Sequence, residues 1–186
     1  CSKVKNIHIS KKSIFGSTIV KSIDENLESL GYQVPVKILM QILYSNIKNE
    51  NNISFIHDAN VISVEKGKEI NVNYQHKSIE KSLISNSLIF SSGSADILIK
   101  NLFLKKIKKD YKQNAVVCEL LSNKYNSDTA YERFTNKGVL GVIPRKENVW
   151  TLIYSTDIKE SEFIENLGNH EIKKYFQNLM GKKWGE

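Results

Sequence analysis

Residues able to do chemistry are sparse in this chain and lie far apart. The four histidines, His8, His57, His76 and His170, show none of the spacings that hold a metal. Each reads as a surface or strand-packing side chain. Cys1 and Cys118 are too few and too distant in sequence for a metal knuckle or a disulfide framework. The sequence therefore presents no catalytic side chain and no metal site, and what remains is a recognition set. Arg145 directly follows Pro144, and a guanidinium there could anchor an anionic oxygen of a bound ligand. The plain alternative is a solvated arginine in a polar turn. Beside it, Phe134, Leu140, Val142, Pro144, Leu152 and Tyr154 form a candidate apolar wall for a pocket. Leu140 and Val142 share a face by period two, as do Leu152 and Tyr154. The competing reading of that face is ordinary core.

Three short strands must position these residues. Ala130 to Phe134 is strand-like, Val139 to Ile143 is bounded by Gly138 and Pro144, and Trp150 to Tyr154 follows the polar turn Arg145-Lys146-Glu147-Asn148. Short polar turns between strands predict an antiparallel meander, a sheet able to cover a pocket with one face. Upstream, residues 4–10 alternate as a strand and residues 13–20 offer another, bent at Gly16. Residues 32–34 are a short strand. Val36, Leu39, Met40, Leu43 and Ile47 then recur at helical spacing behind Pro35, which predicts a helix over 36–48. Residues 53–56 and 59–64 read as strand, and 61–65 with 70–74 as a hairpin pair that 79–83 continues. A buried strand over 87–90 leads to a helix over 97–107, basic at its end. Residues 114–121 are strand, and the tail holds two amphipathic helices over 160–167 and 171–180. Strands in runs with helices inserted, rather than strictly alternating, predict an α+β domain with a mainly antiparallel, mixed sheet and flanking helices.

Bulk properties narrow the function classes. The 186 residues, 40% hydrophobic and 25% charged, suit one globular domain with a sizeable core. No apolar run approaches the length of a transmembrane helix, and the polar N-terminus has no signal-peptide apolar region, so the chain reads as cytoplasmic. The excess of 27 Lys+Arg over 20 Asp+Glu, net +7, admits nucleic acid or an anionic membrane as partner. The excess is dispersed except at Lys105-Lys106-Ile107-Lys108-Lys109, which favours a solvated face in a Lys- and Asn-rich composition. No Arg-rich or Gly-aromatic recognition motif accompanies the charge, so no nucleic acid is expected.

The order of residues carries more than their periodicity. Ala130-Tyr131-Glu132-Arg133-Phe134-Thr135, then Gly138, then an apolar run ending in Ile143-Pro144, then an aromatic strand closing in Tyr154-Ser155, resembles the flavin-dependent hydroxylases of ubiquinone biosynthesis. These are the 2-polyprenyl-6-methoxyphenol hydroxylases, within the aromatic-hydroxylase flavoprotein monooxygenases. The start of the chain follows the same order: Ile7-His8-Ile9-Ser10, Phe15-Gly16, Leu30-Gly31-Tyr32 and the helix with Leu39 and Leu43. The resemblance covers about residues 4–184 and implies the substrate domain of that fold. It implies one substrate-binding domain over 1–186, a middle fragment of a longer FAD monooxygenase, with segments 35–48 and 88–108 bordering the flavin domain. The implied reaction is NAD(P)H- and O2-dependent hydroxylation of the ring of a polyprenylated phenol or quinone precursor. A ubiquinone-biosynthesis enzyme complex, a peripheral contact at the inner membrane and self-association through an uncovered apolar face are the implied partners.

Departures from the family pattern are equally legible. The chain has no Gly-x-Gly-x-x-Gly to cradle the FAD pyrophosphate. The family's Asp-Gly motif after a buried strand corresponds to Ser92-Gly93, with Ser92 in the aspartate's place, Asp96 nearby and Lys100 near the closing arginine. Val36 or Lys37 stands where a polar flavin contact is usual. Cofactor contacts from this chain are thus expected at Lys37, Ser92, Gly93 and Asp96 only. Two alternatives stand beside the hydroxylase reading: a non-catalytic remnant that binds a quinone precursor or a partner enzyme, and a basic binding module of unrelated class.

Overall fold

The computed structural model describes residues 1–91, 107, 109–123, 128–145 and 148–181. The expected helix over 97–107 and the contacts expected at Ser92, Gly93, Asp96 and Lys100 lie outside the described residues. The chain forms two compact units, one of Cys1–Gln41 with Asp110–Glu186 and one of Ile42–Lys109.

The first unit is built on a six-stranded mixed sheet in the order β3-β2-β9-β10-β11-β8. Its strands are β2 (Asn6–Lys11), β3 (Ser17–Lys21), β8 (Gln113–Leu121), β9 (Thr129–Phe134), β10 (Gly138–Pro144) and β11 (Val149–Asp157). The meander expected from the spacing of Gly138, Pro144 and the polar turn is β9-β10-β11. Every pairing is antiparallel except β2 with β9, where Ile7 stands beside Ala130 and Ile9 beside Glu132. That parallel pairing joins segments remote in the chain and has no local signal. β8 pairs with β11 from Val149↔Leu121 to Asp157↔Gln113 and forms one edge of the sheet.

Alternation decides what the sheet buries. In β10, Leu140, Val142 and Pro144 are buried, and in β11 Trp150, Leu152, Tyr154 and Thr156 are buried, while the residues between them are half-buried. Register places Leu140 opposite Tyr154, Val142 opposite Leu152 and Pro144 opposite Trp150, so all the large buried side chains share one face. Two helices contribute to the same core, α2 (Ile158–Glu165) and α3 (Asn169–Met180), through Ile164, Phe176 and Leu179. The Tyr154 and Phe176 rings meet edge to face, centroids 6.0 Å apart at 85°. Each helix has a defined start. The Asp157 carboxylate accepts from Glu160 N–H at 2.9 Å, and the Glu171 carboxylate accepts from Gly168 N–H at 2.9 Å. α2 starts two residues earlier than its apolar spacing suggests because Asp157, the last residue of β11, is its cap.

Polar contacts close the hairpin between β9 and β10. Thr135 Oγ accepts from Gly138 N–H at 3.0 Å and donates to the Gly138 carbonyl at 2.8 Å, while Thr156 Oγ donates to the Lys137 carbonyl at 2.6 Å. The backbones approach so closely here that a Cβ on Gly138 would lie 2.2 Å from the Ser155 carbonyl oxygen. Glu160 completes the corner: its carboxylate accepts from Lys137 Nζ at 2.7 Å and from Tyr175 O–H at 2.6 Å, tying α2 to the turn and to α3. Burial pushes the Glu160 carboxyl up, but the hydrogen bonds from Lys137 and Tyr175 and the lysine charge outweigh it and hold it below its ordinary value. The Lys137 ammonium is raised, chiefly by its hydrogen bond to Glu160, and the Tyr175 phenol is raised by burial and then by the same carboxylate.

At the N-terminus, β1 (Ser2–Val4) and β4 (Gly31–Gln33) form a separate antiparallel pair, braced by the Lys3–Glu28 ion pair. A short 3-10 turn, Ser22–Glu25, follows β3. Gln33 Nε2 donates to Thr151 Oγ1 at 2.8 Å and ties this pair to β11.

In the second unit, β5 (Ala59–Lys66), β6 (Ile70–His76) and β7 (Ile79–Ser85) form an antiparallel meander with Val64 and Val72 buried. The β6–β7 turn is Lys77-Ser78, with φ of 50° and 63°. Both are positive, as the tightest hairpins require. The hairpin expected over 61–74 is present, with a register shift between Val61 and Ser63. The strands expected over 53–56 and 87–90 do not form. The Phe55 and His57 rings meet at a tilt of 48° with centroids 4.4 Å apart, beside Tyr44. The helix expected over 36–48 is α1 (Val36–Ile47), and none of its residues is buried. Among the described residues no helix is long and apolar enough to cross a membrane.

Two outcomes follow for stability. Gly138→Ala should lower it by roughly 1–3 kcal/mol through the backbone clash, whereas Gly141→Ala, with its nearest contact at 3.7 Å, should cost far less; urea midpoints of the two variants check this. Stability carried by Glu160 is present above the ordinary carboxyl value of 4.5 and is lost as pH falls further, through the lower folded value. Stability carried by Lys137 and Tyr175 is present below their ordinary values of 10.5 and 10.0 and is lost as pH rises past them. Glu160→Gln should therefore flatten the acid side of a plot of thermal midpoint against pH.

Candidate functional site

The two faces of the six-stranded sheet differ, and the difference comes from register. The helix-covered face holds Leu140, Val142, Leu152 and Tyr154, all no more than 2% exposed, beneath Phe176 and Ile164. Toward β9 and β2 the same face turns polar. Arg133 stands opposite Leu140, and His8 stands beside Tyr131 with ring centroids 5.6 Å apart. Arg133 Nη1 donates to Ser10 Oγ at 3.4 Å, while Arg133 Nε and His8 Nδ1 are buried with no partner among the described residues. The opposite face carries Val139, Gly141 and Ile143 from β10, Ile153 from β11 and Ile7 and Ile9 from β2, all half-buried, and Val117 from β8, which is 63% exposed. This second face is apolar along Val139, Gly141, Ile143 and Ile153 but also carries Glu132, Thr151, Ser155 and Glu119, and Gln33 of the β1–β4 pair reaches Thr151 on it.

Of the six expected wall residues, the structure brings Leu140, Val142, Pro144, Leu152 and Tyr154 together on the helix-covered face. Phe134 is a correction. It pairs with Val139, so it points to the other face and is 41% exposed. The physical reason is the turn: Thr135 to Lys137 reverses the chain so that Phe134 meets Val139, and the register, not the shared apolar character, sets the face. Val142 reaches a cavity of about 480 Å³ at the edge of this core, where Trp150, Cys118 and Leu120 from the sheet meet Ile172, Phe176 and Met180 from α3. The sequence reading did not single out these α3 residues as pocket-lining, although their four-residue spacing was the available signal.

Arg145 sits at the end of β10. Its guanidinium is engaged by the Glu119 carboxylate, and its backbone N–H donates to the Val149 carbonyl at 2.9 Å. It lines a small cavity of about 120 Å³ with Cys1, Ser2, Gln33, Pro35 and Val149. Lys37 is exposed in the first turn of α1. Ser92, Gly93 and Asp96 fall outside the described residues. His57 Nε2 lies 3.1 Å from Tyr44 Oη, and His76 Nδ1 lies 3.0 Å from the His57 carbonyl. Among the described residues, no three His, Cys, Asp or Glu side chains gather as metal ligands.

The fit of a flavin to these residues is partial at best. Among the described residues no glycine-rich turn opens onto a helix start, and Lys37 alone of the expected contacts is present. These residues do not assemble a dinucleotide site.

No family model matches the chain. It is 24% identical over 161 residues to the mitochondrial ubiquinone biosynthesis monooxygenase COQ6 of Dictyostelium discoideum, a match over 76% of this chain and 32% of that protein. The chain thus spans about a third of the length of that curated relative. Among solved structures, the flavin-dependent halogenase CmlS superposes with a TM-score of 0.75 at 14% identity, covering 97% of this chain and 36% of that one. The myxobacterial chondrochloren halogenase CndH, an FAD-dependent halogenase, gives 0.74 at 11% identity over 94% of this chain and 42% of that one. The p-nitrophenol 4-monooxygenase PnpA of Pseudomonas putida gives 0.69 at 6% identity over 98% and 46% respectively. At these identities the solved structures establish the fold. In sequence the chain resembles a ubiquinone-biosynthesis monooxygenase, and in fold it is an α+β body of the kind found within flavin-dependent halogenases and aromatic hydroxylases.

Proposed function

We propose that this chain supplies the substrate-side sheet of an FAD-dependent monooxygenase that hydroxylates a polyprenylated phenol or related quinone precursor. The observation that carries this reading is the sequence likeness to COQ6 over 76% of the chain, on a body whose fold recurs in flavin-dependent halogenases and hydroxylases. NAD(P)H as reductant, assembly with other ubiquinone-biosynthesis enzymes and a peripheral membrane contact belong to the same proposal.

The sheet suggests where the reacting ring would lie. Such an enzyme must bring flavin and substrate together away from water, since flavin supplies the oxygen chemistry and the protein supplies orientation and a dry wall. On the helix-covered face that position is taken by Phe176, Ile164 and Leu179. On the other face, Val139, Ile143 and Ile153 stand half-buried in adjacent strands around Gly141, which lacks a side chain and leaves room for a flat ring. Val117 extends this apolar strip, and Phe134 stands at its end. Val117 and Phe134, the exposed apolar residues of this strip, favour it as the binding face. The residues described here assemble no flavin cradle, so in this reading the cofactor is held mainly by residues other than these.

The test is made on the complete protein that contains this chain, purified from its own source and assayed for bound flavin and for hydroxylation of a short-chain prenylphenol. Ile153→Arg puts a charge on the open strip. It should weaken binding of the phenol at least tenfold, because an unpaired guanidinium against a buried ring is costly. The thermal midpoint should move little, since Ile153 is only half-buried. Unchanged phenol binding in a folded Ile153→Arg protein, or a complete protein that neither binds flavin nor turns over, would overturn the reading.

A further inference from the structure

The cavity at the edge of the helix-covered core lies on the side of the sheet away from the strip assigned above, and nothing in that assignment uses it. Its volume, about 480 Å³, falls in the range of small-molecule sites. Its floor is the strand surface of Cys118, Leu120 and Trp150, and its wall is Ile172, Phe176 and Met180. The wall residues recur every four positions, so they form one stripe along about 12 Å of α3. Asn169, Lys173 and Gln177 recur with the same spacing and form a second, polar stripe along the mouth. The cavity is therefore a slot, long in the helix direction, apolar inside and polar along one lip.

Charge separates the candidates for what fills it. Two charged residues line the slot, Glu119 and Lys173. The Glu119 carboxylate is engaged by Arg145. Lys173 has no ion pair or hydrogen-bond partner among the described residues. Among the described residues the mouth thus carries one uncompensated cation, Lys173, above an apolar slot, with the Gln177 amide one turn further on.

We propose that this slot binds a single-chain amphiphile of the fatty-acid class, its alkyl chain lying along Ile172, Phe176 and Met180 and its carboxylate paired with Lys173. An unbranched chain can follow the apolar stripe of Ile172, Phe176 and Met180 along the helix, and a carboxylate gains at Lys173 what a neutral head cannot. The site is separate from the phenol-binding strip and does not rest on the flavin reading.

Cys118 provides an internal reporter, because it lines the slot and is a free thiol, while Cys1 is free and exposed. Burial pushes the Cys118 thiol up, so it reacts slowly enough to follow. In the complete protein, N-ethylmaleimide labelling of each cysteine is followed by peptide mass spectrometry during titration with oleate or with oleyl alcohol. Oleate should slow labelling of Cys118 at least fivefold and saturably, with Cys1 unchanged. Oleyl alcohol should protect much less. Lys173→Glu, at an exposed position that leaves the core alone, should reduce the oleate effect at least tenfold in concentration, and Met180→Trp should abolish protection by filling the slot. Equal slowing of both cysteines would mean a non-specific coat of amphiphile and overturn the site, as would no protection at any oleate concentration. Equal protection by the alcohol, or an oleate titration unmoved by Lys173→Glu, would overturn the paired carboxylate.

Discussion

The register of β10 against β11 is the constraint on which the rest of this structure depends. Leu140 opposite Tyr154 and Val142 opposite Leu152 put the large side chains of two strands on one face, and that face then requires cover. Burying each such side chain is worth about 1.5–3 kcal/mol, so a one-residue slip would forfeit the set together. Gly138 secures the register at one end, since only a residue without Cβ tolerates the approach of the Ser155 carbonyl. The Thr135 and Thr156 hydroxyls complete the closure by satisfying backbone groups in the turn.

Once one face is committed to α2 and α3, the other follows by exclusion. Period-two alternation sends Val139, Gly141, Ile143 and Ile153 to the uncovered side, and their apolar character persists there. A sheet exposed to water on one side normally alternates toward polar residues. This one does so only in part: Glu132, Thr151 and Ser155 share the face, and the isoleucines and valines between them are the physical basis for proposing that side as the binding face. The polar corner of Lys137, Glu160 and Tyr175 has a different role. It holds both helices against the turn through a carboxylate with two donors.

The cavity beneath α3 arises from the same geometry. Cys118, Leu120 and Trp150 of the sheet and Ile172, Phe176 and Met180 of α3 border the gap. Its lining was within reach of sequence reasoning, since Ile172, Phe176 and Met180 form a helical stripe, but nothing local says that the stripe meets the sheet incompletely.

What the sequence determined by itself was the element list and its order. Period two identified the β9-β10-β11 meander, the 3.6 period identified α1 and the tail helices, and the residue order from Ala130 to Ser155 pointed to the flavin hydroxylases that the comparison with COQ6 then supported. These signals are local, written in side-chain pattern, glycine, proline and caps. Tertiary structure alone decided the parallel pairing of β2 with β9, the edge position of β8, the separation of β1 and β4 from the main sheet, and the failure of 53–56 to join a ladder. It also decided that Phe134 faces away from Leu140, and which face of the sheet the helices cover. Alternation states that two faces differ, but the choice between them is made by partners distant in the chain, whose approach is set by loop closure and by the packing of α2 and α3.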